Sequence, residues 1–465
     1  MKKSNRRDFL RTVGTTTLAG AFPLAANLSA FNANAAETSG YKALVCVFFF
    51  GGMDGHDLII PYDQNSYNTW ASIRAPLLNI GGDNGYGGTR DRSRLLPLTG
   101  AGIGGREFAL TEETSALHEL FLMGDASVVA NTGPLIEPIN RQAYIDRSGT
   151  RPPRLFSHND QQSVWQSFQP EGAPAGWGGR FADMMLASNA NPNATFTAIS
   201  ASGTSVFLQG DLTRPFQLGR NGAVTIRSAE FRGAPGFAQI YQDHIRGVGS
   251  TASNLFERDM QDNLRFGVDA NVQLDAVLES EPVFSTAFPD NNNLASQLSV
   301  VARIISQRAA LDVGRQVFFV SMGGFDTHSN QPTSLSSLQT RFSTAIRSFY
   351  DTTVELGIQN EVTLFTSSDF GRTLQVNGDG TDHGWGNHHL VVGGAVNGGN
   401  IEGAMPDSGF DHDQDSGRGR LIPTSSVEQY AAALGRWFGL SDIELQEALP
   451  GLNNFDINQL GGLFL

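Results

Sequence analysis

The chain has 465 residues, a formal net charge of −14 and a single cysteine. A protein this acidic carries no electrostatic footprint for nucleic acid and is not drawn to an anionic membrane surface. Cys46 has no partner for an internal disulfide and lies inside an apolar run, so it is read as a small buried core residue.

The N-terminus sets an expected compartment. Asn5-Arg6-Arg7-Asp8-Phe9-Leu10-Arg11 is a twin-arginine export pattern. The apolar stretch at 13–31 is broken by Gly14, Gly20, Pro23 and several threonines, too weak for a membrane anchor. Ala33-Asn34-Ala35 is a small-x-small cleavage site, which makes residues 1–35 a signal peptide and leaves no transmembrane anchor after cleavage. That segment holds Lys2, Lys3, Arg6, Arg7 and Arg11 against Asp8, so the mature chain falls to about −18. The expected route is the twin-arginine translocase, which carries folded proteins, and the expected location is the periplasm or the medium. The mature chain of roughly 430 residues has the length of one large α/β domain with insertions, or of two domains.

Strands alternate with longer helical stretches, which predicts an α/β fold with a mostly parallel sheet sandwiched by helices. The first strand is 42–50, running into Gly51-Gly52-Met53-Asp54-Gly55. Residues 79–107 are crowded with glycine and read as a long surface excursion. Strands are expected at 126–131 and 194–199. Residues 200–290 carry mixed short helices, the clearest at 237–248 and 253–266, and read as a cap insertion over the sheet edge. A helix is expected at 294–311, where Leu294, Leu298, Val301, Ile304 and Ile305 share a stripe. The run 316–321 enters Gly323-Gly324-Phe325-Asp326-Thr327-His328, a helix follows at 335–356, and the run 361–366 enters Ser368-Asp369-Phe370-Gly371-Arg372-Thr373. That order is a βαβ unit. Thr381-Asp382-His383-Gly384-Trp385-Gly386-Asn387-His388-His389 leads into a fourth apolar run, 390–392, also read as a buried parallel strand. A last helix is expected at 426–438.

Ligands of open α/β sheets bind beyond the carboxyl ends of the strands. Carboxylates and imidazoles delivered there by several strands predict a metal site, with Asp54, Asp326, His328, Asp369 and His383 as the ligand candidates. Each has a plain structural alternative: a turn or cap for the aspartates, a backbone-bonded core or surface residue for the histidines. Carboxylate oxygen with imidazole suits Zn, Mn, Mg or Ca, as one ion or two. Ser157 stands before a helical stretch, where backbone N–H groups would receive a phosphate or sulfate; the alternative is a helix cap with Asp160 three residues on. His158, Arg180 and His388 are further candidates, and Arg372 or Arg180 could clamp an anion bidentately. Asp411-His412-Asp413-Gln414-Asp415 lacks the glycine and distal Glu of a calcium loop and reads as a solvated acidic loop.

Taken together, Gly51-Gly52-Met53-Asp54-Gly55, Ser157-His158-Asn159-Asp160-Gln161, Gly176-Trp177-Gly178-Gly179-Arg180, Gly324-Phe325-Asp326-Thr327-His328, Ser368-Asp369-Phe370-Gly371-Arg372-Thr373, Asp382-His383-Gly384-Trp385-Gly386 and Gly419-Arg420-Leu421-Ile422-Pro423-Thr424 resemble the exported bacterial family labelled domain of unknown function 1501. The resemblance covers nearly the whole mature chain and implies the alkaline-phosphatase and sulfatase superfamily. It implies that Asp54, Asp326, His328, Asp369 and His383 hold metal and that Ser157 is the nucleophile. Two departures stand out: only Thr327 separates Asp326 from His328, and Phe370 occupies the place of a second histidine ligand. No cysteine sits in a sulfatase-type Cys-x-Pro-x-Arg setting. The expected activity is metal-dependent hydrolysis of a small anionic phosphate or sulfate ester. The alternative is a catalytically degenerate binding or assembly protein that acts with another exported protein.

Overall fold

Lys42–Phe50 forms β1, and seven of its nine positions are buried. The two-residue period sends Ala43, Val45, Val47 and Phe49 into one core and Leu44, Cys46 and Phe48 into the other. A strand apolar on both sides belongs in a sheet covered on both faces. The computed structural model describes residues 36–81, 85–192, 194–219, 240, 243, 254–278 and 283–465. In it the chain continues through β2 (Ile60–Pro61), β3 (Leu96–Pro97), β4 (Phe108–Leu110), β5 (Ala126–Gly133), β6 (Ala198–Ser200) and β7 (Phe216–Gln217). Then come β8 (Arg315–Gly323), β9 (Val362–Ser368), β10 (Arg372–Asn377), β11 (Gly380–His383), β12 (Asn387–Val392), β13 (Ile401–Glu402) and β14 (Ser425–Ser426).

The main sheet has the order β13-β5-β12-β9-β1-β8-β6-β7, with β14 beside β5. β7, β6, β8, β1 and β9 are mutually parallel. β12 runs antiparallel to both β9 and β5, while β13 and β14 follow β5. This is the expected α/β sheet with one correction, because the run 390–392 is the reversed strand and not a parallel one. The hairpin β10–β11 follows β9 beyond the sheet's carboxyl edge, so the chain re-enters from that edge and runs back without a crossover. The reversal places the entry to β12, and His383 before it, beside the ends of β1, β8 and β9.

Helices Ser115–Met123, Asn293–Ser306 and Gln331–Glu355 cover one face; Trp177–Ala187, Val427–Phe438 and Asp442–Ala448 cover the other. Gln331–Glu355 joins β8 to β9 across β1, which lies between them. The strand expected at 194–199 shrinks to Ala198–Ser200, since the Asn191 side chain accepts from the Gly314 and Arg315 amides in place of a ladder. Within 79–107, Tyr86, Arg90, Leu95 and Leu98 are buried, and Arg90 pairs with Asp57 at 2.8 Å. Of the 200–290 stretch, the helix Leu255–Leu278 buries Val268, Ala270, Leu274 and Leu278. The helix expected at 237–248 lies outside the described residues apart from 240 and 243, as do the twin-arginine segment and its cleavage site. Among the described residues no helix is long and apolar enough to cross a membrane.

The helix Val427–Phe438 opens on a capping box between Ser426 and Gln429 and buries Glu428 beside Gly451. Burial lifts the Glu428 carboxyl from 4.5 to about 7. Between those values the folded chain keeps a proton that the unfolded chain has lost, so this contribution to stability is intact below 4.5 and disappears as pH rises through 7. Glu428→Gln should therefore stabilise the protein by roughly 2–3 kcal/mol at pH 8 and by almost nothing at pH 4.5. Denaturant midpoints at the two pH values check this; an equal shift at both would remove the carboxyl from the account.

Candidate metal centre

Four segments bring side chains to the carboxyl edge of the sheet. β1 runs into Gly51, at φ 114°, where a Cβ would stand 2.3 Å from the Asp326 amide nitrogen. Only glycine allows this approach, and it presses the turn after β1 against the turn after β8 that carries Asp326 and His328. β9 ends at Ser368 and places Asp369 next. The hairpin β10–β11 returns with Asp382 and His383. The helix His158–Ser167 supplies His158 from its first position.

These side chains converge on Asp326. His158 Nε2 lies 3.4 Å from Oδ2 of Asp326, and His383 Nε2 and His328 Nε2 lie 3.2 and 3.1 Å from Oδ1. His328 Nε2 and His383 Nε2 are 2.9 Å apart. Each imidazole is tied at its other nitrogen to an oxygen: His158 Nδ1 to Asp369 at 2.7 Å, His383 Nδ1 to the Phe156 carbonyl at 2.8 Å, His328 Nδ1 to Asp382 at 3.4 Å. An imidazole that donates Nδ1–H turns its Nε2 lone pair outward. The His383 Nε2 lone pair then faces His328 Nε2, and the buried His158 Nε2 has no hydrogen-bond partner. A divalent cation among His158, Asp326 and His383, whose ligating atoms lie within 4.8 Å of one another, would resolve this arrangement. The donor set therefore fits a metal.

The environment tunes the ligands. The hydrogen bond to Asp369 raises the pKa of His158. Burial lowers that of His383. Burial alone would raise Asp326, but its hydrogen bond and ion pair with Arg372 outweigh this and hold it below the usual range. Phe370 packs its ring 4.9 Å from His158 and 4.5 Å from His383. It cannot ligate, but it fixes the planes of two rings that can.

Several expected site residues stand elsewhere. Asp54 shares the sheet edge but not the cluster. Arg74 donates to Oδ2 at 2.6 Å and to Oδ1 at 3.1 Å, Gln331 to Oδ2 at 2.7 Å and the His56 amide to Oδ1 at 3.1 Å. Four donors occupy its lone pairs, so Asp54 is a helix cap in a buried ion pair with Arg74. Asp369, fully buried, stands behind His158; it accepts from His158 and from Gln162 Nε2 at 2.9 Å, and its other oxygen accepts from the Gly51 amide at 3.2 Å. Arg372 is buried with its donors committed to Asp326, the Gly51 carbonyl and Thr381, so it positions Asp326 rather than clamping an anion. Arg180 bonds the Ala448 carbonyl in a separate surface groove with Asp183 and Glu447. His388 accepts from the Asn131 amide, lines another cavity with His56 and Arg106, and is pushed down to about 3 by burial. The Ser157 hydroxyl donates to Asp160 at 2.8 Å and makes no capping bond to the helix backbone. In the acidic loop, Asp415 is buried rather than solvated and accepts from the Gly417 and Gly419 amides.

Gln162, Asp382 and the Phe156 carbonyl were not among the predicted site residues. Asp382 adjoins His383 and Gln162 lies one helical turn from His158, spacings that sequence could have flagged. A backbone carbonyl leaves no such signal.

Fold and site together define an α/β protein with a histidine–carboxylate cluster at its sheet edge. The chain belongs to the family described as "Protein of unknown function (DUF1501)", whose profile matches residues 41–449. No curated protein matches it by sequence. Among solved structures it is similar to the PsFucS1 sulfatase from Pseudoalteromonas sp., at 10% identity and TM-score 0.33, covering 94% of this chain and 72% of that one. It is also similar to Ps i-CgsB in complex with k-i-k-neocarrahexaose, at 8% identity and TM-score 0.38, covering 90% and 78%. Likenesses this distant carry no argument about activity.

Proposed function

We propose that this protein is a metal-dependent hydrolase of a sulfate or phosphate ester, with one divalent cation held by His158, Asp326 and His383 and flanked by His328. The observation that carries the reading is the convergence of three Nε2 atoms on one carboxylate, each imidazole backed by an oxygen at Nδ1. Imidazole-rich ligation favours Zn over Mg, Ca or Mn. When bound, the ion would supply Lewis-acid polarisation of the ester and acidify water. Asp369 orients His158, Phe156 orients His383, and Arg372 keeps Asp326 ionised and aimed. The Ser157 hydroxyl bonds Asp160, whose carboxylate also pairs with Arg154 at 3.1 Å, and makes no bond to His158, Asp326 or His383. On that placement the attacking group is assigned to water, not to Ser157.

The competing reading, a non-catalytic binding protein acting with another exported partner, draws on Arg372: it is buried and its bonds go to Asp326, Gly51 and Thr381, so it is not free to clamp an ester anion. Elemental analysis of the purified protein, with aryl sulfate and phosphate esters assayed after Zn or Mn loading, separates the two. Ser157→Ala should keep the metal, cost about 1 kcal/mol of stability and lower kcat by less than about tenfold. A loss above a thousandfold would return the nucleophile to Ser157, and a metal-loaded wild type inert to every ester would leave the binding reading. Export through the twin-arginine translocase to the periplasm or medium belongs to the same proposal. Its motivation is Arg6-Arg7, and lysine at both positions should strand the precursor in the cytoplasm; normal export of that variant would reject the route.

A further inference from the structure

A groove of about 250 Å³ is joined to the cluster through Gln162 and Asp369. It is lined by Phe50, where β1 ends, by Asn159, Gln162 and Gln166 of the helix His158–Ser167, by Glu171 and by Thr204. Gln162 bridges the two sites, since its Nε2 donates to Asp369. That bond leaves its Oε1 as an acceptor for the groove. Gln166 is held the other way round: its Oε1 accepts from Ser205 Oγ at 2.8 Å and the Phe207 amide at 3.2 Å. Its amide nitrogen, without a hydrogen-bond partner among the described residues, is left to donate. Residues four apart share a helix face, so one acceptor and one donor stand side by side with orientations set by other bonds. No lysine or arginine lines the groove, and its one charge is the exposed Glu171.

That lining repels an anion and matches a neutral molecule rich in hydroxyls, each of which both donates and accepts. The half-buried Phe50 ring adds an apolar surface for C–H groups. Building on the hydrolase reading, we infer that the groove binds the alcohol portion of the ester and that this portion is a sugar. The charged ester group lies at the cluster, and the glycosyl group lies along Gln162, Gln166 and Asn159. Gln166 and Asn159 are then specificity residues that touch no reacting atom.

The test uses the Zn- or Mn-loaded full-length mature protein. Sulfate and phosphate monoesters of galactose and glucose are compared with nitrophenyl sulfate and phosphate, which lack a sugar. Asn159→Ala and Gln166→Leu should raise KM for the sugar esters tenfold or more, leave their kcat within twofold and leave nitrophenyl-ester kinetics unchanged. Asn159 is exposed, so its variant stays informative should the Gln166 variant unsettle the Ser205–Phe207 turn. Unchanged sugar-ester KM in Asn159→Ala, with nitrophenyl turnover intact, overturns the groove assignment and spares the hydrolase reading. If no ester is hydrolysed, saturation-transfer NMR with lactose and cellobiose decides. Binding that both variants abolish sustains the groove while the hydrolase reading falls, and no binding of either sugar overturns the inference.

Discussion

Asp326→Asn should weaken divalent-cation binding more than about a thousandfold, equivalent to about 4 kcal/mol, and abolish turnover. Asp326 is the common neighbour of His158, His328 and His383, and an amide removes the anionic donor while keeping the shape. Asp369→Asn acts one step further out, through the Nδ1 of His158, and should cost only about 10–100-fold. The graded pair separates ligand from positioning residue. In a thermal scan, Zn at a hundred times its Kd should stabilise the wild type by about 2.7 kcal/mol and leave Asp326→Asn unmoved. If Asp326→Asn bound metal as tightly as the wild type, the centre would not be where the imidazoles converge.

Asp54→Ala should have the opposite profile, a large loss of stability with the metal retained. Asp54 and Arg74 are both about 1% exposed and their ion pair is 2.6 Å long. Removing the carboxylate strands a buried guanidinium, at a cost of about 3–5 kcal/mol. Gln331 would lose the acceptor of its Nε2, while its Oε1 also accepts from Thr327 and Thr381, so part of the loss would spread toward the turn carrying Asp326. Asp54→Leu combined with Arg74→Met should recover much of the loss, because it removes both charges together. Urea midpoints and metal stoichiometry on the folded fraction are the measurements. A folded Asp54→Ala protein devoid of metal would restore Asp54 as a ligand.

The two variants mark where sequence was readable. Asp326, His328 and His383 could be found because they follow strand-like runs, and strands of an α/β sheet deliver their carboxyl ends to one edge. Asp54 follows β1 in the same way and looks identical in sequence. What separates it is Arg74, twenty positions later in the helix Gln64–Leu78, a long-range partner that no spacing announces. Asp369 likewise sits where a ligand was expected, but its oxygens accept from His158, Gln162 and the Gly51 amide. His158, 168 positions earlier in the chain than Asp326, was a further candidate through its place beside Ser157, but no spacing linked it to Asp326.

By itself the sequence determined the α/β class, the two-faced burial of β1 and the edge at which polar residues would gather, and it offered Asp326, His328 and His383, with His158 as a further candidate, among the groups that meet there. Those follow from local patterns: apolar period, glycine turns and the side chains just beyond them. Tertiary structure alone decided that β12 runs backwards, that Asp54 is spent on a buried ion pair and Arg372 on the exposed Asp326, and that His158 joins the cluster. Whether a carboxylate ligates metal or neutralises an arginine depends on which partner occupies its lone pairs, and that partner is brought by folding from a distant part of the chain.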